Sequence, residues 1–142
     1  MASELKVDKF TGVTTAGSID VTGEGNSTTT NLQQGLAKVW CKLSGAAQTI
    51  NDSFNLSSRT DSGVGQTELT FSSAFGSVHF SKTAIADFDG AVDAGLHAYG
   101  ADGQSSSATP TTTKTRIDVL EYNTTNDGDC GYICATLHGD LA

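Results

Sequence analysis

Cys130, Cys134 and His138 stand four residues apart, which on paper looks like a metal motif. The segment around them reads as a strand, where residues four apart share a face but lie ~13 Å from one another. Zinc draws its ligands to within about 2.3 Å, so this spacing is not expected to hold it. Cys41, Cys130 and Cys134 are an odd count with no export signal upstream, so reduced, packed thiols are the expectation. A Cys41–Cys134 disulfide between facing strands is the alternative. Asp87-Phe-Asp89-Gly90 with Asp93, and Asn126-Asp127-Gly128-Asp129, have the flavour of calcium loops. Neither completes the twelve-residue ligand pattern with its bidentate Glu, and ordinary Asp-Gly turns explain both.

Catalytic arrangements are weaker. His79, His97 and His138 all fall inside strand-like alternation, and no Gly-x-Ser-x-Gly elbow occurs. Gly23-Glu-Gly25 lacks the third glycine and the following helix of a dinucleotide fingerprint. No catalytic residue, cofactor or metal is expected. Sugar binding is the most credible small-molecule activity, because a carbohydrate site needs an exposed aromatic platform with polar groups nearby. Trp40, Tyr99, Tyr122 and Tyr132 are the candidates, although core or subunit contacts would use the same residues.

The elements that must position these residues are strands. The 142-residue chain holds 20 Thr, 15 Ser and 16 Gly against a single Pro, with 17% charged residues. Branched threonine suits a pleated surface, and Gly, Ser, Asn and Asp supply the turns between strands. The length fits one domain with a sizeable core. The net charge of −8 argues against nucleic-acid binding and against docking on anionic membranes. No apolar run approaches the ~20 residues of a membrane span. Met1–Phe10 carries Glu4, Lys6, Asp8 and Lys9, which is unlike a secretory leader. Its four glycosylation sequons are therefore read as chance, and Met1 suggests a whole gene product. There is no solenoid repeat and no heptad pattern.

Leu5, Val7 and Phe10 suggest a short strand or an extended arm, and Ile19 and Val21 a second short strand. Leu32–Lys38 reads as one helical turn or a strand start. In Gly35–Leu43, Ala37, Val39, Cys41 and Leu43 point one way and Lys38, Trp40 and Lys42 the other. An outward Trp40 among lysines is usually shielded by something, often another subunit. Phe54–Thr60 and Gln66–Phe71 flank Asp61-Ser-Gly-Val-Gly65 and form the best hairpin, with Thr67, Leu69 and Phe71 on one face. Val78 and Phe80 continue the alternation, and Leu96–Tyr99 is a further short strand. Thr111–Tyr122 places Ile117 and Val119 between Arg116, Asp118 and Leu120. Tyr132–His138 alternates Ile133, Ala135 and Leu137 against Tyr132, Cys134 and Thr136. The sum is an all-β chain: a single, jelly-roll-like sandwich of about eight antiparallel strands over residues 32–142, with an extended N-terminal arm over 1–31.

Leu32-Gln-Gln-Gly-Leu-Ala-Lys-Val-Trp40, Ser53-Phe-Asn-Leu-Ser-Ser58, Thr60-Asp-Ser-Gly63 with Gly65, and Thr67-Glu-Leu-Thr-Phe71 occur in that order. This series resembles a β-rich module of bacteriophage virion proteins, the fibre-like and knob-like proteins of marine and cyanobacterial phages. Ser3-Glu-Leu-Lys-Val-Asp-Lys9 is similar to the openings of such proteins. The likeness covers about residues 32–80 and this short N-terminal stretch. Cys41-Lys-Leu-Ser-Gly45 departs from the usual Val-Asn-Phe-Asn-Gly, and Thr67 stands where an aromatic residue is common. The resemblance implies a non-enzymatic virion component, a fibre, knob or capsid-decoration subunit. It would be homotrimeric, assembled in the bacterial host cytoplasm and in contact with other virion proteins of capsid or tail. Leu5, Val7 and Phe10 would anchor the arm, because apolar pins offset the ordering entropy of a polar segment, and Trp40 would lie at a subunit interface. The alternative is a host-receptor module that binds a surface glycan, through loops such as Ala101–Pro110.

Overall fold

A computed structural model describes residues 4–12, 19–22, 29–45, 48–87, 97–100, 109–120, 128 and 130–142. The chain divides into two compact units, Met1–Leu36 and Ala37–Ala142. The first holds strands β1 (Asp20–Thr22) and β2 (Thr29–Asn31), paired antiparallel, and the single helical turn α1 (Leu32–Gly35). Leu32 N–H donates to the Ile19 carbonyl at 2.8 Å and closes the ribbon onto the turn. Residues 4–7 and 9–12 have no regular structure.

The second unit is an all-β sandwich. Its strands are β3 (Val39–Ser44), β4 (Thr49–Phe54), β5 (Leu56–Gly63), β6 (Gln66–Phe71), β7 (Ser81–Asp87), β8 (His97–Gly100), β9 (Lys114–Leu120) and β10 (Tyr132–His138). They form two four-stranded antiparallel sheets, ordered β4-β3-β10-β7 and β5-β6-β9-β8. Alternation explains the core. Val39, Cys41, Leu43, Ile133, Ala135 and Leu137 point inward from the first sheet, and Leu69, Phe71, Ile117 and Val119 from the second. These are the inward faces that alternation predicts for β3, β6, β9 and β10.

Three local features depart from the sequence reading. Phe54–Thr60 is not one strand: Asn55 adopts φ 58°, and the chain crosses there from the first sheet to the second. Asparagine tolerates this left-handed conformation, and its side chain pins the corner. Its Oδ1 accepts from Ser73 N–H at 2.6 Å, and its Nδ2 donates to the Ser73 carbonyl at 3.2 Å. Asn55→Ala is expected to cost about 2–3 kcal/mol, from the strained φ and two lost hydrogen bonds. Asn55→Gly should recover part of that loss; urea unfolding of both variants is the check. Second, Val78 and Phe80 are not in a strand. Phe80 is buried and Val78 exposed, and the strand begins at Ser81. Third, Lys38 is buried rather than exposed to solvent. Burial lowers its ammonium below the usual lysine range, and the nearby Asp140 carboxylate opposes the shift.

The β5–β6 hairpin closes through Gly63-Val64-Gly65. Gly65 has φ 64°, and a Cβ there would meet the Val119 carbonyl oxygen at 2.6 Å and the backbone of Gly128 at 2.8 Å. The turn therefore packs backbone on backbone, and its Gly65 carbonyl accepts from Val119 N–H at 2.8 Å.

Candidate interaction face

The outward side chains of the β4-β3-β10-β7 sheet follow from its register. Phe54, Trp40, Thr136 and Thr83 form one cross-strand row. Asp52, Lys42, Cys134 and Ile85 form the next, and Thr49, Ser44, Tyr132 and Asp87 the third. Four large apolar side chains stand on this face. Ile85 is 67% exposed, Phe54 51%, and Trp40 and Tyr132 40% each. Lys42 Nζ lies 4.8 Å from the centroid of the Tyr132 ring, a cation–π contact that orders the middle of the face. Isolated exposed hydrophobes are ordinary, and four on one sheet face make it the candidate contact surface.

Of the four aromatic residues singled out from the sequence, the structure brings Trp40 and Tyr132 onto this face. The Tyr99 side chain and all of Tyr122 lie outside the described residues. Leu5, Val7 and Phe10 are exposed at 72%, 46% and 60%. Phe54 and Ile85 are the members that sequence reading missed. In β7 the inward positions are Lys82, Ala84 and Ala86, so polarity does not alternate in Ser81–Asp87. The small inward alanines opposite Thr83 and Ile85 are the signal that was present.

Cys41, Cys130 and Cys134 are thiols, none of them joined in a disulfide. Cys41 aligns with Ala135 and Cys134 with Lys42, so Cys41 faces the core and Cys134 the outer face, and the two cannot pair. Cys130 is in the core. Burial pushes the Cys41 thiol up to about 11, with the adjacent Cys134 adding to the shift, while a backbone hydrogen bond to Ala135 and the Arg59 charge oppose it. The sign follows. The folded state keeps its proton where the unfolded state loses it, so the contribution is full below pH 9 and is lost as pH rises towards 11. Cys41→Ala is therefore expected to flatten the alkaline limb of stability between those values. In native protein, a thiol reagent at pH 8 should modify Cys134 alone; rapid reaction of Cys41 would contradict this burial.

A second feature is a small polar cleft of about 60 Å³ at one end of the sandwich, lined by Gln48, Arg59, Asp61, Gln66, Thr67 and Cys130 among others. Arg59 reaches across from β5 to donate to the Ser44 carbonyl of β3, and its Nη2 donates to Thr67 Oγ1 at 3.3 Å. Gln48 Nε2 donates to Asp61 Oδ2 at its rim. The bond to Ser44 ties the two sheets together and the bond to Thr67 fixes the guanidinium against its own sheet, so Arg59 serves the scaffold. His79 is exposed and His138 half-buried. Among the described residues there is no group of three metal-ligating side chains, and no helix long and apolar enough to cross a membrane. The two acidic turns, apart from Asp87 and Gly128, lie outside the described residues. So does the 101–108 stretch of the loop considered for glycan recognition.

No family of known proteins, no curated protein and no solved structure matches the chain.

Proposed function

We propose that this chain is a non-enzymatic structural subunit of a bacteriophage particle, a small fibre, knob or capsid-decoration protein that assembles with copies of itself. The observation that carries the reading is the open sheet face bearing Phe54, Trp40, Ile85 and Tyr132. A surface of this kind serves broad protein contact better than small-molecule chemistry, which needs a concave pocket with convergent polar groups. The segments that resemble phage virion modules fall on the stretch from α1 to β6, so they contribute Trp40 and Phe54 to that face. Leu5, Val7 and Phe10 act as the apolar pins of the arm on its virion partners.

The test is the copy number of the chain in purified particles, by quantitative mass spectrometry. Hundreds of copies support a capsid decoration, and a few dozen or fewer support a tail or vertex fibre. Absence from particles overturns the reading. Deletion of Met1–Phe10 is expected to abolish incorporation while leaving the sandwich folded. A second reading, recognition of a host-surface glycan, draws on the outward rings of Trp40 and Tyr132. A glycan-array signal that Trp40→Ala removes would favour it.

A further inference from the structure

We infer that the outer face of the β4-β3-β10-β7 sheet packs against the same face of a second copy of this chain, about a two-fold axis running along the strands between β3 and β10. The inference rests on the self-assembly part of the proposed function, is independent of the virion part, and puts a two-fold pair in place of the homotrimer that the phage resemblance implies.

Area comes first. Four strands at ~4.8 Å spacing and six residues at ~3.3 Å each give a face of about 19 by 20 Å, or roughly 400 Å² in projection. Two such faces come to about 800 Å² in projection, short of the ~1,200 Å² at which standard-size interfaces begin and in the range of weak, transient contacts. The pair is therefore expected to be weak. The charges on this face are Lys42, Asp52 and Asp87. They leave it 1 − 2 = −1 of the chain's −8, so self-contact here meets little of the repulsion that the rest of the surface would impose.

Register then selects the axis. Packed sheets keep their strands nearly aligned and interdigitate large with small side chains across ~10 Å. A two-fold running across the strands through the central row would set Lys42 on the Lys42 of the copy and Asp52 on its Asp52. Like charges facing one another are destabilising. A two-fold along the strands sets Trp40 over Thr136, Tyr132 over Ser44, Phe54 over Thr83, Lys42 over Cys134, Asp52 over Ile85 and Asp87 over Thr49, with no like charges opposed. Each aromatic then meets a small hydroxyl residue, and every such contact occurs twice. A sugar chain fits the same face less well, because Ile85, the most exposed of its four large side chains, offers no ring to stack on.

The experiment is sedimentation velocity of the full chain from ~5 to ~500 μM, read as mass against concentration. The expected result is a shift from one chain to two. Ile85→Asp and Thr136→Arg should each weaken the pairing by about tenfold or more, with the far-UV spectrum unchanged. Cys134 is an independent reporter, since it is the exposed thiol of the three. Two Cys134 Cα atoms would lie about 11 Å apart across this axis, too far for a direct disulfide. A short bismaleimide should therefore join two chains, Cys134→Ser should abolish the product, and alkylation of Cys134 should slow as concentration rises. A single-chain mass throughout, a three-chain mass, or a two-chain mass that both substitutions leave intact overturns the inference. Single chains whose Cys134 is protected by an added host oligosaccharide would assign the face to a glycan instead. Pairing by a chain absent from particles would keep this inference and sink the virion role.

Discussion

Arg116→Met is expected to destabilise the sandwich by about 3–5 kcal/mol, because it strands a buried carboxylate. Arg116 and Asp118 are two residues apart on β9, so both project from the outer side of the β5-β6-β9-β8 sheet. Their side chains are 8% and 3% exposed. Arg116 Nη2 donates to Asp118 Oδ2 at 2.9 Å. Nε lies 2.6 Å from Oδ1 but out of line for a hydrogen bond, so that half of the pair is a charge contact. The pair repays its desolvation only while both members are present. The double variant Arg116→Met/Asp118→Leu is accordingly expected to regain most of the loss, within about 1 kcal/mol of the parent or better. Urea unfolding of the two singles and the double closes the cycle. Single variants that each cost under about 1 kcal/mol would show that water reaches the pair in solution.

Phe75→Ala carries the other large expected effect, also about 3–5 kcal/mol. Phe75 is 1% exposed. Its ring stacks on Phe80 at 4.5 Å and meets Phe71 edge-on at 5.2 Å, and Phe71 and Phe80 meet at 5.8 Å. Such aromatic pairs add about 0.5–1.5 kcal/mol beyond area burial, so truncating the central ring removes more than its transfer free energy. The same residue ties the β6–β7 connection to the rest of the sandwich. Phe75 N–H donates to the Thr112 carbonyl at 2.8 Å, and Phe75 bridges Leu141 near the C-terminus. Gly139 completes the site, because a Cβ there would sit 2.9 Å from Phe80 Cβ and 3.0 Å from the Phe75 ring. Thermal unfolding should fall by about 10 °C or more for Phe75→Ala, and by much less for Phe75→Leu, which refills most of the volume. Hydrogen exchange should show the amides of Gly76 and Ala142, both bonded across this junction, losing protection first in the alanine variant. An alanine variant within about 2 °C of the parent would mean that the cluster collapses to fill the space.

These two sites were not legible in the sequence, for different reasons. Arg116 and Asp118 flank Ile117 in clean alternation, which reads as a solvated face opposite a buried one. Alternation reports which residues share a side of a strand, but not whether that side is covered. Phe71, Phe75 and Phe80 are spaced by four and five, which matches neither a strand nor a helix. Their meeting depends on the path of a connection between sheets. Asn55 belongs with them: Phe54–Thr60 has strand-like composition throughout, and one residue at positive φ moves its second half into the other sheet.

What the sequence determined by itself was the fold class and the core of the strands that cover it. Thr67, Leu69 and Phe71, and Ile133, Ala135 and Leu137, are inward because a period of two with one apolar face has a single low-energy burial. That much is local physics. Tertiary structure alone decided the rest: the order of strands in each sheet, the corner at Asn55, the inward alanines of β7, and the gathering of Phe54, Trp40, Ile85 and Tyr132 from four strands onto one face. Cross-strand neighbours are set by register between segments distant in the chain, and no local period encodes them. The candidate contact surface of this protein therefore exists only once β4, β3, β10 and β7 lie side by side.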